Sequence, residues 1–249
     1  MPLSTPSSDE VCPIGPFYTA APIEDYASLA AKAPTTRSLT LSFAWLDADE
    51  VEARLQLLER CAFPRLETLW LVRAAEAVPL FANTPLPALR CLKAWLCLTQ
   101  DQWRTLFSAE WMSTVTTLDL ESPTIPSQLH HARRCTALEH LILQTYEGDG
   151  YQPLTAQDSD ALATLPALRI LDLQSVELTP GLVHSILRSP LPQQLHELML
   201  SCGDDDRLSK DDKLALLRAD WRAEQPRSHL RNLFYDVFFA AFSDGSFSK

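Results

Sequence analysis

Glycine is scarce, with six residues in 249. A loop that cradles phosphate needs clustered glycines so that backbone N–H groups can approach the anion, and none occurs here. No run of about 18 apolar residues appears, so no membrane-spanning helix is expected. The start, "MPLSTPSSDEVCPIGP", has no basic segment followed by an apolar core, and no secretory signal is expected from it. Six cysteines (Cys12, Cys61, Cys91, Cys97, Cys135, Cys202) include no CxxC pair and read as reduced, mostly buried residues of a cytoplasmic protein. Positive charge is also short. Lys and Arg number 21 against 32 Asp and Glu, a net charge of −11 that repels phosphate backbones and anionic lipid, so neither nucleic acid nor membrane is an expected partner.

What is present is a repeat. "LPALRILDLQSVELTP", residues 165–180, sets Leu168, Leu171 and Leu173 around Arg169 and Asp172. The apolar-x-x-apolar-x-apolar pattern recurs as "TRSLTL", "LETLWL", "LRCLKA", "VTTLDL", "LEHLIL", "LRILDL", "LHELML" and "LRNLFY", beginning at Thr36, Leu66, Leu89, Val115, Leu138, Leu168, Leu195 and Leu230. The spacing averages about 28 residues, the range of stacked repeats. The last two apolar positions of each copy alternate, as in a strand with one buried face. Helix signals lie between the copies. Thr99 with Gln102 and Thr155 with Asp158 are capping-box spacings. Pro180 after Thr179 suits a first helical position. "DADEVEARLQLLERC" carries acids in its first turn and Arg60 in its last, in accord with the helix dipole. Strand and helix alternating in short units predict a parallel sheet.

These eight copies resemble the leucine-rich repeat family, in the ribonuclease-inhibitor-like variant with a helix on the convex face, over about residues 36–236. The resemblance implies an α/β solenoid horseshoe of about eight leucine-rich repeats, with a parallel sheet on the concave face and helices on the convex face. One element departs from the family. Its Asn or Cys three residues after the last Leu is replaced by Ala74, Pro123, Tyr146, Val176 and Gly203, so the turns must satisfy their backbone groups otherwise and an irregular curve is expected. Residues 1–17, rich in Pro and Ser, read as a flexible arm and 18–35 as an N-terminal capping helix. The repeats occupy 36–229, and 230–249 the last strand and C-terminal cap.

No catalytic or metal-ligating residue is assigned, and no cofactor or small-molecule substrate is expected. Asp204, Asp205, Asp206, Asp211 and Asp212 cluster, yet lack the alternation, central Gly and closing Glu of a calcium loop. Ser209 with Asp212 reads instead as a helix cap. His130 and His131 are neighbours on a helix and should face different sides. There is no GxSxG stretch. A metal-dependent hydrolase built on the 202–212 acids is kept as the remote alternative.

The outward strand positions carry more. One column reads Thr40, Trp70, Lys93, Asp119, Ile142, Asp172, Met199 and Phe234. The next reads Ser42, Val72, Trp95, Glu121, Gln144, Gln174, Ser201 and Asp236. Strands about 4.8 Å apart bring Trp70, Lys93 and Trp95 together, and exposed Trp beside charge is the composition of interface hot spots. The expected site is partner-binding: Trp70, Lys93, Trp95, Asp119, Glu121, Ile142, Gln144, Asp172, Gln174 and Met199. Five bases (Arg37, Arg90, Lys93, Arg169, Arg231) against seven acids (Glu67, Asp119, Glu121, Glu139, Asp172, Glu197, Asp236) make the face nearly balanced, which suits a protein partner. The expected function is non-enzymatic protein–protein recognition, of an inhibitor or immunity type. A delivered effector or adaptor, placed in a host or target cell without a classical signal, is the alternative.

Overall fold

A computed structural model describes residues 11–13, 24–122, 126–144, 154–176, 179–200 and 209–218. The chain divides into two compact units, Met1–Leu120 and Glu121–Lys249. Both are built from parallel strands alternating with helices.

The first unit holds β1 (Val11–Pro13), β2 (Ser38–Ser42), β3 (Thr68–Val72), β4 (Cys91–Trp95) and β5 (Thr117–Glu121, whose final residue falls in the second unit). β1 to β4 pair in parallel and in chain order, with Leu39 opposite Leu69 and Leu69 opposite Leu92. Its helices are α1 (Glu24–Lys32), α2 (Ala48–Leu58), α3 (Val78–Asn83) and α4 (Gln100–Ser108). The second unit holds β6 (His140–Gln144), β7 (Ile170–Ser175) and β8 (Glu197–Leu200), again parallel and in order. Its helices are α5 (Ala156–Ala163), α6 (Pro180–Arg188), α7 (Leu191–Gln194) and α8 (Lys210–Arg218), with a 3-10 helix over Pro126–Arg134. The short strand β1 lies within the segment read as an arm, and α1 within the expected cap. The eighth copy at Leu230, Phe234 and the rest of 230–249 lie outside the described residues.

Alternation explains the layers. In β2, β3, β4 and β5 the second and fourth residues are buried, Leu39 and Leu41, Leu69 and Leu71, Leu92 and Ala94, Leu118 and Leu120, while their strand neighbours, apart from Val72, are part-exposed or exposed. The second unit repeats this with Leu141 and Leu143, Leu171 and Leu173, and Leu198. Helices supply the opposite side of each core, through Leu58, Phe81, Trp103 and Phe107 in the first unit and Leu162, Leu182, Val183 and Ile186 in the second. Each fully buried Leu stabilises by roughly 2–3 kcal/mol. Thr36 stands where the first copy should have Leu, yet it is buried and its hydroxyl donates to Lys32 O at 3.0 Å, so the first copy keeps a complete strand.

Backbone hydrogen bonds tie successive copies together at both ends of the strands. Beyond the strand ends, Phe43 N–H donates to Val72 O and Arg73 N–H to Trp95 O, and in the second unit Ser122 N–H donates to Gln144 O. Before β2, β3, β4, β6 and β7 one carbonyl accepts two successive amides of the next copy. Arg37 O accepts from Glu67 and Thr68, Glu67 O from Arg90 and Cys91, Arg90 O from Thr116 and Thr117, Glu139 O from Arg169 and Ile170, and Arg169 O from His196 and Glu197. This ladder satisfies groups that burial would otherwise penalise.

The helix starts follow the sequence signals. Asp47 with Glu50, Thr99 with Gln102 and Thr155 with Asp158 form reciprocal capping boxes, and Thr179 accepts from Leu182 N–H ahead of Pro180. Ser209 and Asp212 cap α8 in the same reciprocal way. Arg60 falls beyond the end of α2 and not in its last turn.

Candidate functional site

In the first unit the expected outward column is in register: Thr40 lies opposite Trp70 and Trp70 opposite Lys93. Trp70 and Trp95 are part-exposed and Lys93 is exposed. Lys93 Nζ stands 3.8 Å from Asp119 Oδ2, a surface pair contributing about 0–1 kcal/mol. Two residues before Lys93 on β4, Cys91 is half-buried; burial raises its thiol pKa, with a smaller lowering by Lys93 and a further raising by Asp119. Val72, expected in the outward column, lies opposite Trp95 but is buried.

Two further residues join this face, and the column count missed both. Trp45 follows β2 and Arg73 follows β3, each in the left-handed region at φ 69° and 49°. For non-glycine residues such backbone costs of order 1–3 kcal/mol and persists only where surroundings hold it. A Leu46 N–H bond to Phe43 O closes the turn around Trp45, and the Arg73 amide is held by Trp95 O at 2.8 Å. The result is a cation–π cluster. The Arg73 guanidinium carbon lies 5.8 Å from the centre of the Trp45 ring and 5.9 Å from that of Trp95, within cation–π range of both. Trp45 is 80% exposed, the large apolar side chain most open to solvent among the described residues.

The bases counted on the face behave differently from one another. Arg90 turns back on its own loop, donating to Leu89 O at 2.8 Å and Pro87 O at 3.4 Å. Arg169, at the equivalent place in the second unit, does the same with Leu168 O and Pro166 O. Arg37 pairs with Glu67 at 3.3 Å. Arg231 lies outside the described residues. Two of the five are therefore loop ties, while Arg73, absent from that count, has its guanidinium on the surface with no hydrogen-bond acceptor or ion pair among the described residues.

The second unit presents another face. Ile142 lies opposite Asp172, and Asp172 opposite Met199, all part-exposed. Glu121 and Gln144 are part-exposed as well. The expected pairing of Gln144 with Gln174 does not occur: the register shifts after Ile142 and Gln144 faces Ser175, because β7 has six residues against five in β6. Ser201, Asp236, and the acids Asp204, Asp205 and Asp206 of the remote metal reading lie outside the described residues. No group of three or more His, Cys, Asp or Glu placed to hold a metal occurs among the described residues. His130 and His131, expected to face apart, have ring centres 3.8 Å apart on the 3-10 helix. Asp158 is buried, which raises its carboxyl pKa; hydrogen bonds from the Thr155 amide and hydroxyl and the charge of His130 work the other way.

No family model matches the chain, and no curated protein matches its sequence. Among solved structures, a chain in the crystal structure of the yeast Rad7 and Elc1 complex is similar to it at 15% identity with a TM-score of 0.38. The match covers 78% of this chain and 63% of that one, so this chain spans less than two thirds of its neighbour's length. None of the described helices is long and apolar enough to cross a membrane.

Proposed function

We propose that the chain is a non-enzymatic protein-recognition module, each unit a run of leucine-rich repeats with helices on the outer side, and that its partner docks on the strand face of the first unit. The observation that carries this is the in-register meeting of Trp70 and Lys93, with Trp95 one step along β4. Large rigid rings lose little entropy on binding, and Trp with a nearby cation dominates interface energetics far beyond its share of area. The nearly balanced charge of the outward positions suits a protein more than a polyanion. Inhibitor and adaptor are both roles of this class, and the partner's identity decides between them.

The test is affinity capture from a lysate of the source organism with the full chain and with a Trp70→Arg, Trp95→Arg double variant, after circular dichroism shows that the variant folds. A partner retained by the wild type and lost by the variant is expected. Retention of the same partner by both would overturn the first unit's face as the site.

A further inference from the structure

We propose that Arg73, within cation–π range of both Trp45 and Trp95, is the anchor for a single carboxylate of the protein partner. This rests on the reading that the first unit's face binds a protein, and adds the chemistry of one contact. The two rings lie 5.8 and 5.9 Å from the guanidinium carbon. Both are within range to restrict its rotamers before any partner arrives. A guanidinium is weakly hydrated on its faces, and its N–H donors lie in its plane as a fork matched to two carboxylate oxygens. Arg90, Arg169 and Arg37 all spend donors on nearby acceptors. Arg73 spends none among the described residues, although it is exposed.

The backbone points to the same spot. The two non-glycine residues with positive φ among those described are Trp45 and Arg73, the two members of the cation–π cluster that lie outside strands. Strain of this kind gathers where a surface must be held in a defined shape. Charge narrows the occupant. A net charge of −11 repels an acidic tract at long range, so the carboxylate sits in an otherwise neutral or basic segment and is captured at short range.

The experiment selects random linear peptides on the full chain. Each enriched peptide is then made with every Asp or Glu replaced by Asn or Gln, and affinities are measured for the wild type, Arg73→Lys, Trp45→Ala and Trp70→Arg. The expected result is one acid whose amide replacement weakens binding to the wild type about tenfold or more, with little effect on Arg73→Lys, since lysine keeps the charge but not the fork. Trp45→Ala, which leaves the guanidinium in place, should weaken the same peptides by a smaller factor. Enriched peptides without a required acid, an equal amide effect on wild type and Arg73→Lys, or no enrichment would overturn the anchor. Peptides sensitive to Trp70→Arg but indifferent to Arg73→Lys would do so while leaving the recognition reading intact.

Discussion

The two units share one backbone plan and present different chemistry on it. Each buries alternate leucines, and each ties copies together through a carbonyl that accepts two amides, at Arg37, Glu67 and Arg90 in the first and at Glu139 and Arg169 in the second. Outward, the first unit sets Trp70, Trp95 and Trp45 beside Lys93 and Arg73, whereas the second sets Ile142 and Met199 beside Asp172, Glu121 and Glu197. Inward positions answer to packing and are interchangeable between the units. Outward positions differ in kind between the units, and we propose that the Trp and cation content of the first unit serves docking.

Breaking the shared part should have the largest effect, and the same one in either unit. Leu71→Ala and Leu171→Ala each remove a fully buried side chain and are expected to cost about 2–5 kcal/mol in urea unfolding, spreading to neighbouring copies. A loss below about 1 kcal/mol at either would mean the alternation does not define the core.

Breaking the difference should be one-sided. With the captured partner, Trp70→Ala is expected to raise Kd by about thirtyfold or more, a cost of 2 kcal/mol or above, while Met199→Ala in the second unit changes it less than about fivefold. Calorimetry with both variants measures this. Equal losses would spread the interface over both units.

Smaller effects sharpen the comparison. Thr99 caps α4 in the first unit and Thr155 caps α5 in the second. Thr→Ala at either should cost about 1 kcal/mol by thermal or urea unfolding, because an N-terminal amide loses its acceptor. Smaller still in energy, yet sharp in rate, is the contrast between two thiols. Cys97 in the first unit is exposed, whereas burial pushes the Cys135 thiol of the second up to about 12. Alkylation needs an accessible thiol and its thiolate, so at pH 8 Cys135 should be modified only on unfolding, whereas Cys97 is open to the reagent in the folded chain, as read by peptide mass spectrometry. Stability from the buried neutral thiol is present below its ordinary value of 9.0 and is lost as pH rises from there through about 12.

Much of the shared plan was legible in the sequence because it rests on periodicity. Leu at alternate positions allows one buried face, and Thr or Ser with an acid or Gln three residues on allows few arrangements other than a cap. The difference was legible only in part. Trp70, Lys93 and Trp95 fall in strands, so counting by two placed them. Trp45 and Arg73 lie in turns where positive φ normally selects glycine, and no rule of spacing takes a tryptophan or an arginine there. Arg90 and Arg169 follow "LPAL" in both units and fold back to it, a local preference that the face count could not weigh. The Gln144 pairing failed because one extra residue in β7 shifts the register, and strand length is not written in the alternation.

The most direct measurement is hydroxyl-radical footprinting of the chain alone and with its captured partner, quantified at Trp45, Trp70, Trp95 and Met199. Trp and Met side chains are all reactive, so the two units report side by side in one experiment. The partner is expected to protect the three tryptophans and leave Met199 oxidised as in the free chain. Protection of Met199 with the tryptophans unchanged would contradict this and move the site to the second unit.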